Sequence, residues 1–126
     1  MPTAKMTSFA TYKDLVGYIK CLLNGGSENY CYSKGDNGVG STGKITAQEH
    51  TPMVALPKAE VVAKWGSVKA AAGKRVRVQL PSCPAFEAEY ADTAPAGVCD
   101  LNPASLKAAG LSPETELNVT GTWEWI

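Results

Sequence analysis

The sequence lacks an excess of either charge: Lys and Arg together number 12, and so do Asp and Glu, leaving no formal net charge. A chain held to a nucleic acid needs a cationic surface to displace counterions, so this balance excludes a partner bound mainly through phosphates. A neutral or weakly charged polymer, such as a polysaccharide, stays compatible with it. No stretch approaches the roughly 20 consecutive apolar residues that span a bilayer, so no membrane partner is expected. The opening Met1-Pro2-Thr3-Ala4-Lys5 leads into no apolar core of a secretory signal. The chain is therefore expected to stay inside a cell, to be released by lysis, or to carry Met1 in place of a removed signal. Histidine is nearly absent, with His50 alone. Among Cys21, Cys31, Cys83 and Cys99 no Cys-x-x-Cys pair occurs, so neither a zinc site nor any other cofactor is expected.

What the chain does have is ordinary globular composition, 44% hydrophobic and 19% charged, at a length that suits one compact domain and a likewise monomeric protein. Residues 8–24 read as a helix, with Phe9, Tyr12, Leu15, Val16, Ile19, Leu22 and Leu23 at three- and four-residue steps. Ser8 suits its N-cap, and Gly25-Gly26 stops it. Such a helix is expected to lay its apolar face over one end of the fold; a partner-binding face is the alternative. Residues 25–44 crowd Gly25, Gly26, Gly35, Gly38, Gly40 and Gly43 with Ser, Asn and Asp, and contain no phosphate-binding glycine motif, so they read as a surface loop. Tyr30 and Tyr32 flank Cys31 in it.

From Gly43 onward the pattern turns to strands. Lys44–Ala47 and Met53–Leu56 are short candidates on either side of a polar turn, and Ala59–Lys64 fits a strand or a helical turn. Val76, Val78 and Leu80 alternate with Arg75, Arg77 and Gln79, the period of a half-buried strand, and Pro81 ends it. Asn102 is well placed as an N-cap with Pro103 as first helical residue, Leu106 inward and Gly110 as the stop. In the last segment Leu117, Val119, Trp123 and Trp125 share one face, which makes both tryptophans core residues, and Gly121 allows a bend. Asn118-Val119-Thr120 has the N-glycosylation pattern. The cysteines allow two disulfides, and the short, turn-rich loops favour Cys21–Cys31 and Cys83–Cys99; four reduced thiols are the alternative.

The order of the pieces is informative. It runs Val54-Ala55-Leu56-Pro57, Trp65-Gly66-Ser67, Gly73-Lys74-Arg75-Val76-Arg77-Val78-Gln79, Ser82-Cys83-Pro84, then Val98-Cys99-Asp100-Leu101-Asn102-Pro103-Ala104 and a terminal Trp123-Glu124-Trp125. This resembles the six-stranded double-psi β-barrel domain of rare lipoprotein A-like proteins, the expansin N-terminal domain, barwin-like proteins and glycoside hydrolase family 45. The resemblance implies a mainly β protein, with residues 43–126 as the barrel and residues 1–42 as a helix and glycine-rich loop packed on it. The chain departs from the family pattern at Ser82, where an Asp is frequent, at Phe86, where a second Cys is frequent, and at Asn102, where Ser is usual.

The resemblance further implies a glycosidase or lytic transglycosylase acting on β-1,4-linked cell-wall polymers (peptidoglycan, chitosan-like or cellulose-like), outside the cell or at its wall. Carried over by position, Asp100 is the general acid, a task that needs a carboxyl kept protonated by partial burial; capping the short helix is its other reading. An inverting hydrolase needs a second carboxylate roughly 6.5–9.5 Å away. Asp92, in the Ala-Asp-Thr-Ala-Pro segment, is the first candidate, followed by Glu89, Glu87 and Glu49. Glu49 and His50 are candidates to line the substrate groove, and Trp65 and Tyr90 to stack on sugars. A non-catalytic barrel is the alternative, either binding or loosening cell-wall carbohydrate or inhibiting a protease.

Overall fold

The computed structural model describes Thr3–Ile126; Met1 lies outside the described residues. Six strands close into a mixed barrel in the order β1-β5-β2-β4-β3-β6, with short helices around it. The strands are β1 (Thr3–Ser8), β2 (Met53–Pro57), β3 (Arg75–Gln79), β4 (Phe86–Ala94), β5 (Val98–Leu101) and β6 (Asn118–Trp125). The helices are α1 (Tyr12–Leu23), α2 (Glu28–Cys31), α3 (Lys58–Trp65), α4 (Val68–Ala71) and α5 (Pro103–Ala108). The pairs β1–β5 and β2–β4 are parallel, and the other pairs are antiparallel.

The mainly β barrel expected from the sequence is present, but it does not begin at Gly43. Thr3–Ser8 supplies a whole strand, bonded to β5 on one side and β6 on the other. Residues 9–52 are thus an insert between the first two strands of one barrel. The helix in it starts later than expected, because Thr11 forms the cap: its side chain accepts from the Asp14 N–H, and Asp14 reaches back to the Thr11 N–H. Lys44–Ala47 is no strand; Ile45 makes one isolated bridge to Val39. Lys58–Trp65 is a helix.

Period-two alternation builds the core. Val76 and Val78 are fully buried while Arg75, Arg77 and Gln79 stand outside. Met6, Val54, Leu56, Cys99, Leu101 and Leu106 are likewise fully buried, and each aliphatic side chain so enclosed contributes about 1.5–3 kcal/mol. Trp123 is buried and Trp125 packs beside it edge to face, at 5.4 Å between ring centres. Gly121 is needed at its place, since a Cβ there would meet the Gln79 carbonyl and the Met6 side chain.

Asn102 joins the insert to the barrel. Its carboxamide oxygen accepts from the N–H groups of Met53 and Ser105, both at 2.9 Å, and its NH2 donates to the carbonyls of Thr46 at 3.0 Å and Thr51 at 3.2 Å. The side chain is fully buried, so each lost partner strands a polar group out of water. Asn102→Ala is expected to destabilise the chain by about 3 kcal/mol or more in urea unfolding. Asn102→Ser, which can still cap α5, is expected to lose less; equal losses would show that capping contributes nothing.

Candidate functional site

Strand register brings the two candidate acids into one row. Asp100 on β5 lies opposite Thr7 on β1 and opposite Ala55 on β2, and Asp92 on β4 lies opposite Ala55 from the other side. With neighbouring strands about 4.8 Å apart, the two aspartate Cα atoms stand about 9–10 Å from each other. The row faces outward, because Met6, Val54, Leu56, Cys99 and Leu101, its chain neighbours, fill the core. Asp92 reaches the row through a bulge: the β2–β4 register shifts between Val54 and Ala55, so Ala91 is the extra residue. Asp92 is thus a strand residue, and so are the other candidate carboxylates Glu87 and Glu89.

The insert closes over this row. Phe9 and Ala10 pack on Ala55 and Ala94 in a small apolar cluster outside the barrel. The glycine-rich segment is fastened to the rim of β4, where the Ser41 N–H donates to the Asp92 carboxylate at 3.0 Å and Thr42 bonds the Ala91 carbonyl. The Thr93 N–H adds a bond of 2.8 Å to the same Asp92 oxygen. Asp92 therefore anchors the loop.

Asp100 accepts a hydrogen bond from the Thr7 hydroxyl. Burial pushes its carboxyl above the usual range, against the lowering effect of Thr7, and Asp92, Asp14 and Asp36 push it the same way. Burial also raises Asp36, which accepts from the Gly38 N–H at 2.6 Å. The arrangement can hold a proton on Asp100, as a general acid must, but the residue sits between barrel and insert. It lies in the wall of none of three surface clefts among the described residues. One, of about 430 Å³, has Tyr32, Asp36, Ser41 and Asp92 in its wall. A second, of about 460 Å³, is lined by Tyr12, Gln48, Glu49, His50, Lys107 and Glu114. The third, of about 570 Å³, lies between α1 and α2 against Lys20, Cys21, Tyr30 and Lys34.

The other expected site residues scatter. Glu49 and His50 share the second cleft, exposed, with Glu49 3.4 Å from the Lys107 ammonium. Tyr90 offers no stacking face: it points inward from β4 and is fully buried. Trp65 is half-buried, edge-on to Trp125 at 5.6 Å, with the Lys74 ammonium 4.6 Å over its ring. Glu89 pairs with Lys44, and Glu87 pairs with Arg75 and Arg77. The disulfide Cys21–Cys31 is present, whereas Cys83 and Cys99 are free thiols. Cys99 points into the core from β5, and burial raises its thiol well above the usual value. Cys83 follows β3, which β2 and β4 separate from β5.

The largest departure concerns α1. Its apolar residues were expected to cover the barrel, yet only Tyr18 is buried. Tyr12 is 70% exposed, Ile19 51% and Leu23 81%. Of the eleven large apolar side chains that stand exposed among the described residues, eight lie between Tyr12 and Ile45, so this surface belongs to the insert. The sequence carried the signal as an amphipathic helix but not the direction of its face.

No family model matches the chain, and no curated protein does. Among solved structures, a Streptomyces papain inhibitor is similar, with 19% identity over 96% of this chain and 91% of that one, at a TM-score of 0.48.

The sign of the Asp100 effect sets a test. Its folded-state pKa lies above the ordinary 3.8, so the folded chain binds the proton more tightly than the unfolded chain. The ionised carboxylate then costs stability above the folded value, and the cost fades as pH falls from there to 3.8. Asp100→Asn, which can still accept from Thr7, is expected to raise the melting temperature at pH 7. That gain should shrink to nothing near the unfolded value. A variant that melts lower than wild type at pH 7 would mean the charge itself is used.

Proposed function

We propose that the chain is a non-catalytic, protein-binding barrel of the protease-inhibiting kind, of the double-psi type, working in an oxidising extracellular setting. One observation carries the reading: Tyr12, Ile19, Leu22 and Leu23 of α1 and Tyr30 of α2 stand exposed on an insert that the Cys21–Cys31 disulfide ties together. Monomeric proteins rarely leave such a contiguous face uncovered unless it meets a partner. Tyr12, Tyr30 and Tyr32 are of the residue type that supplies binding hot spots. The double-psi assignment draws support from a closed six-stranded barrel with two parallel pairs. The extracellular setting draws support from the disulfide, since such bonds persist where the surroundings oxidise.

A second reading, the cell-wall glycosidase, draws on the Asp92–Asp100 row and on the burial that raises the Asp100 carboxyl. Against it stand the insert above Asp100 and the use of Asp92 as a loop anchor.

One pair of assays separates them. The chain should slow at least one member of a panel spanning cysteine, serine, aspartic and metalloproteases, while releasing no reducing ends from peptidoglycan, chitosan, chitin or soluble cellulose. Ile19→Asp with Leu23→Asp should abolish inhibition while shifting stability by no more than about 0.5 kcal/mol, because both side chains are exposed. Polymer cleavage that Asp100→Asn abolishes would transfer the case to the second reading.

A further inference from the structure

The cleft between α1 and α2 has a definite chemistry. Two lysines, Lys20 and Lys34, line it, and no carboxylate does. Neither lysine has an ion-pair partner among the described residues. The Lys34 ammonium stands 5.6 Å over the Tyr30 ring, which holds the charge beside an aromatic wall. Glu28, the acid on α2, is not in the wall of the cleft and accepts from the Tyr18 hydroxyl at 3.4 Å.

The cleft is also rigidly built. Gly17 and Gly35 let α1 and the Lys34–Gly35 backbone touch: a Cβ on Gly17 would collide with the Lys34 carbonyl, and one on Gly35 with the Asp14 carbonyl. A Cβ on Gly26 would strike both disulfide sulfurs. The position of Lys34 relative to Lys20 is thus fixed by backbone contact rather than by side-chain packing.

We infer that this cleft receives an acidic side chain of the partner protein. The inference deepens the protein-binding reading of the same insert and rests on it. Charge complementarity chooses the occupant. Two ammonium groups without ion-pair partners favour a carboxylate, and the Tyr30 ring in the same wall gives an organic acid a contact that a bare anion cannot use.

The test titrates the isotope-labelled full chain with three probes, followed by amide chemical shifts. The probes are a capped hexapeptide carrying two glutamates between leucines, its glutamine counterpart, and inorganic phosphate. The glutamate peptide should shift the amides of residues 19–26 and 30–34, and binding should weaken as salt is raised. Lys20→Glu with Lys34→Glu should weaken it by about tenfold or more, while Lys58→Glu with Lys69→Glu, on α3 and α4, should leave it within about twofold. Equal binding of the glutamine peptide, equal binding of phosphate, or shifts centred on Glu49 and His50 would each overturn the inference. Protease inhibition separates this failure from that of the broader reading. A chain that binds the glutamate peptide as described but slows no protease sinks the inhibitor reading alone. A chain whose inhibition survives Lys20→Glu with Lys34→Glu sinks the acidic-ligand inference alone.

Discussion

The four hydrogen bonds of the Asn102 carboxamide tie the start of β2, the first turn of α5 and the end of the insert to one buried side chain. Met53 opens β2, Ser105 lies in the first turn of α5, and Thr46 and Thr51 bracket the end of the insert. The group must be buried to reach all of them, and once buried it tolerates no missing partner. Ser105 completes the joint by donating its hydroxyl to the Met53 carbonyl at 2.8 Å. From this joint follow the start of β2 and the return of the insert to the barrel. A serine at position 102, the residue usual in the family the sequence resembles, has no second arm to reach Thr46 and Thr51. The asparagine thus suits a chain with a long insert to fasten.

The joint also explains what lies over the acidic row. An insert fixed at Asn102 on one side and at Asp92 on the other must pass across the outward face of β5 and β2, where Asp100 sits. Asp92 bonds the Ser41 and Thr93 N–H groups, which satisfy its charge in the way a structural carboxylate requires. Asp100 has one hydroxyl donor and carboxylates for charged neighbours, and burial raises its pKa, with those neighbours adding to the effect. A perturbed carboxyl is a reason to look for chemistry, but burial under a loop produces the same perturbation with no substrate at all.

The elements legible in the sequence were those with one clear period or one clear cap: β3 from its valine–arginine alternation, α5 from Asn102-Pro103, β6 from its tryptophans. β4 was hidden although Phe86, Ala88 and Tyr90 alternate, because alanine and glutamate weigh little as strand formers and the bulge at Ala91 breaks the period before Asp92. β1 was hidden by brevity: Ala4 and Met6 are its only inward apolar residues among six. The acids were found by their types, but their common row depends on a register that no local pattern encodes. Tyr90 was misjudged for the same reason, since its strand was not visible.

The outward face of α1 is the hardest feature to foresee, because periodicity reports that a helix has an apolar side and not what that side meets. Here the space beneath the helix is taken. Gly17 and Gly35 bring the glycine-rich segment against the helix backbone itself, so a polar loop occupies the position a hydrophobic core would otherwise fill. Tyr18 is the residue that still turns inward, packed on Tyr32 at 5.3 Å. Tyr12, Ile19, Leu22 and Leu23 are left to solvent on a scaffold closed by a disulfide and by backbone contacts too tight for a methyl group. Such a surface has already met its ordering cost at the folding step, so a partner that binds it loses less conformational entropy than one binding a mobile loop. Rigidity and exposed apolar area are costly apart, the first in folding entropy and the second in solubility. Their coincidence on one insert is what a recognition surface requires and what a simple barrel cover does not.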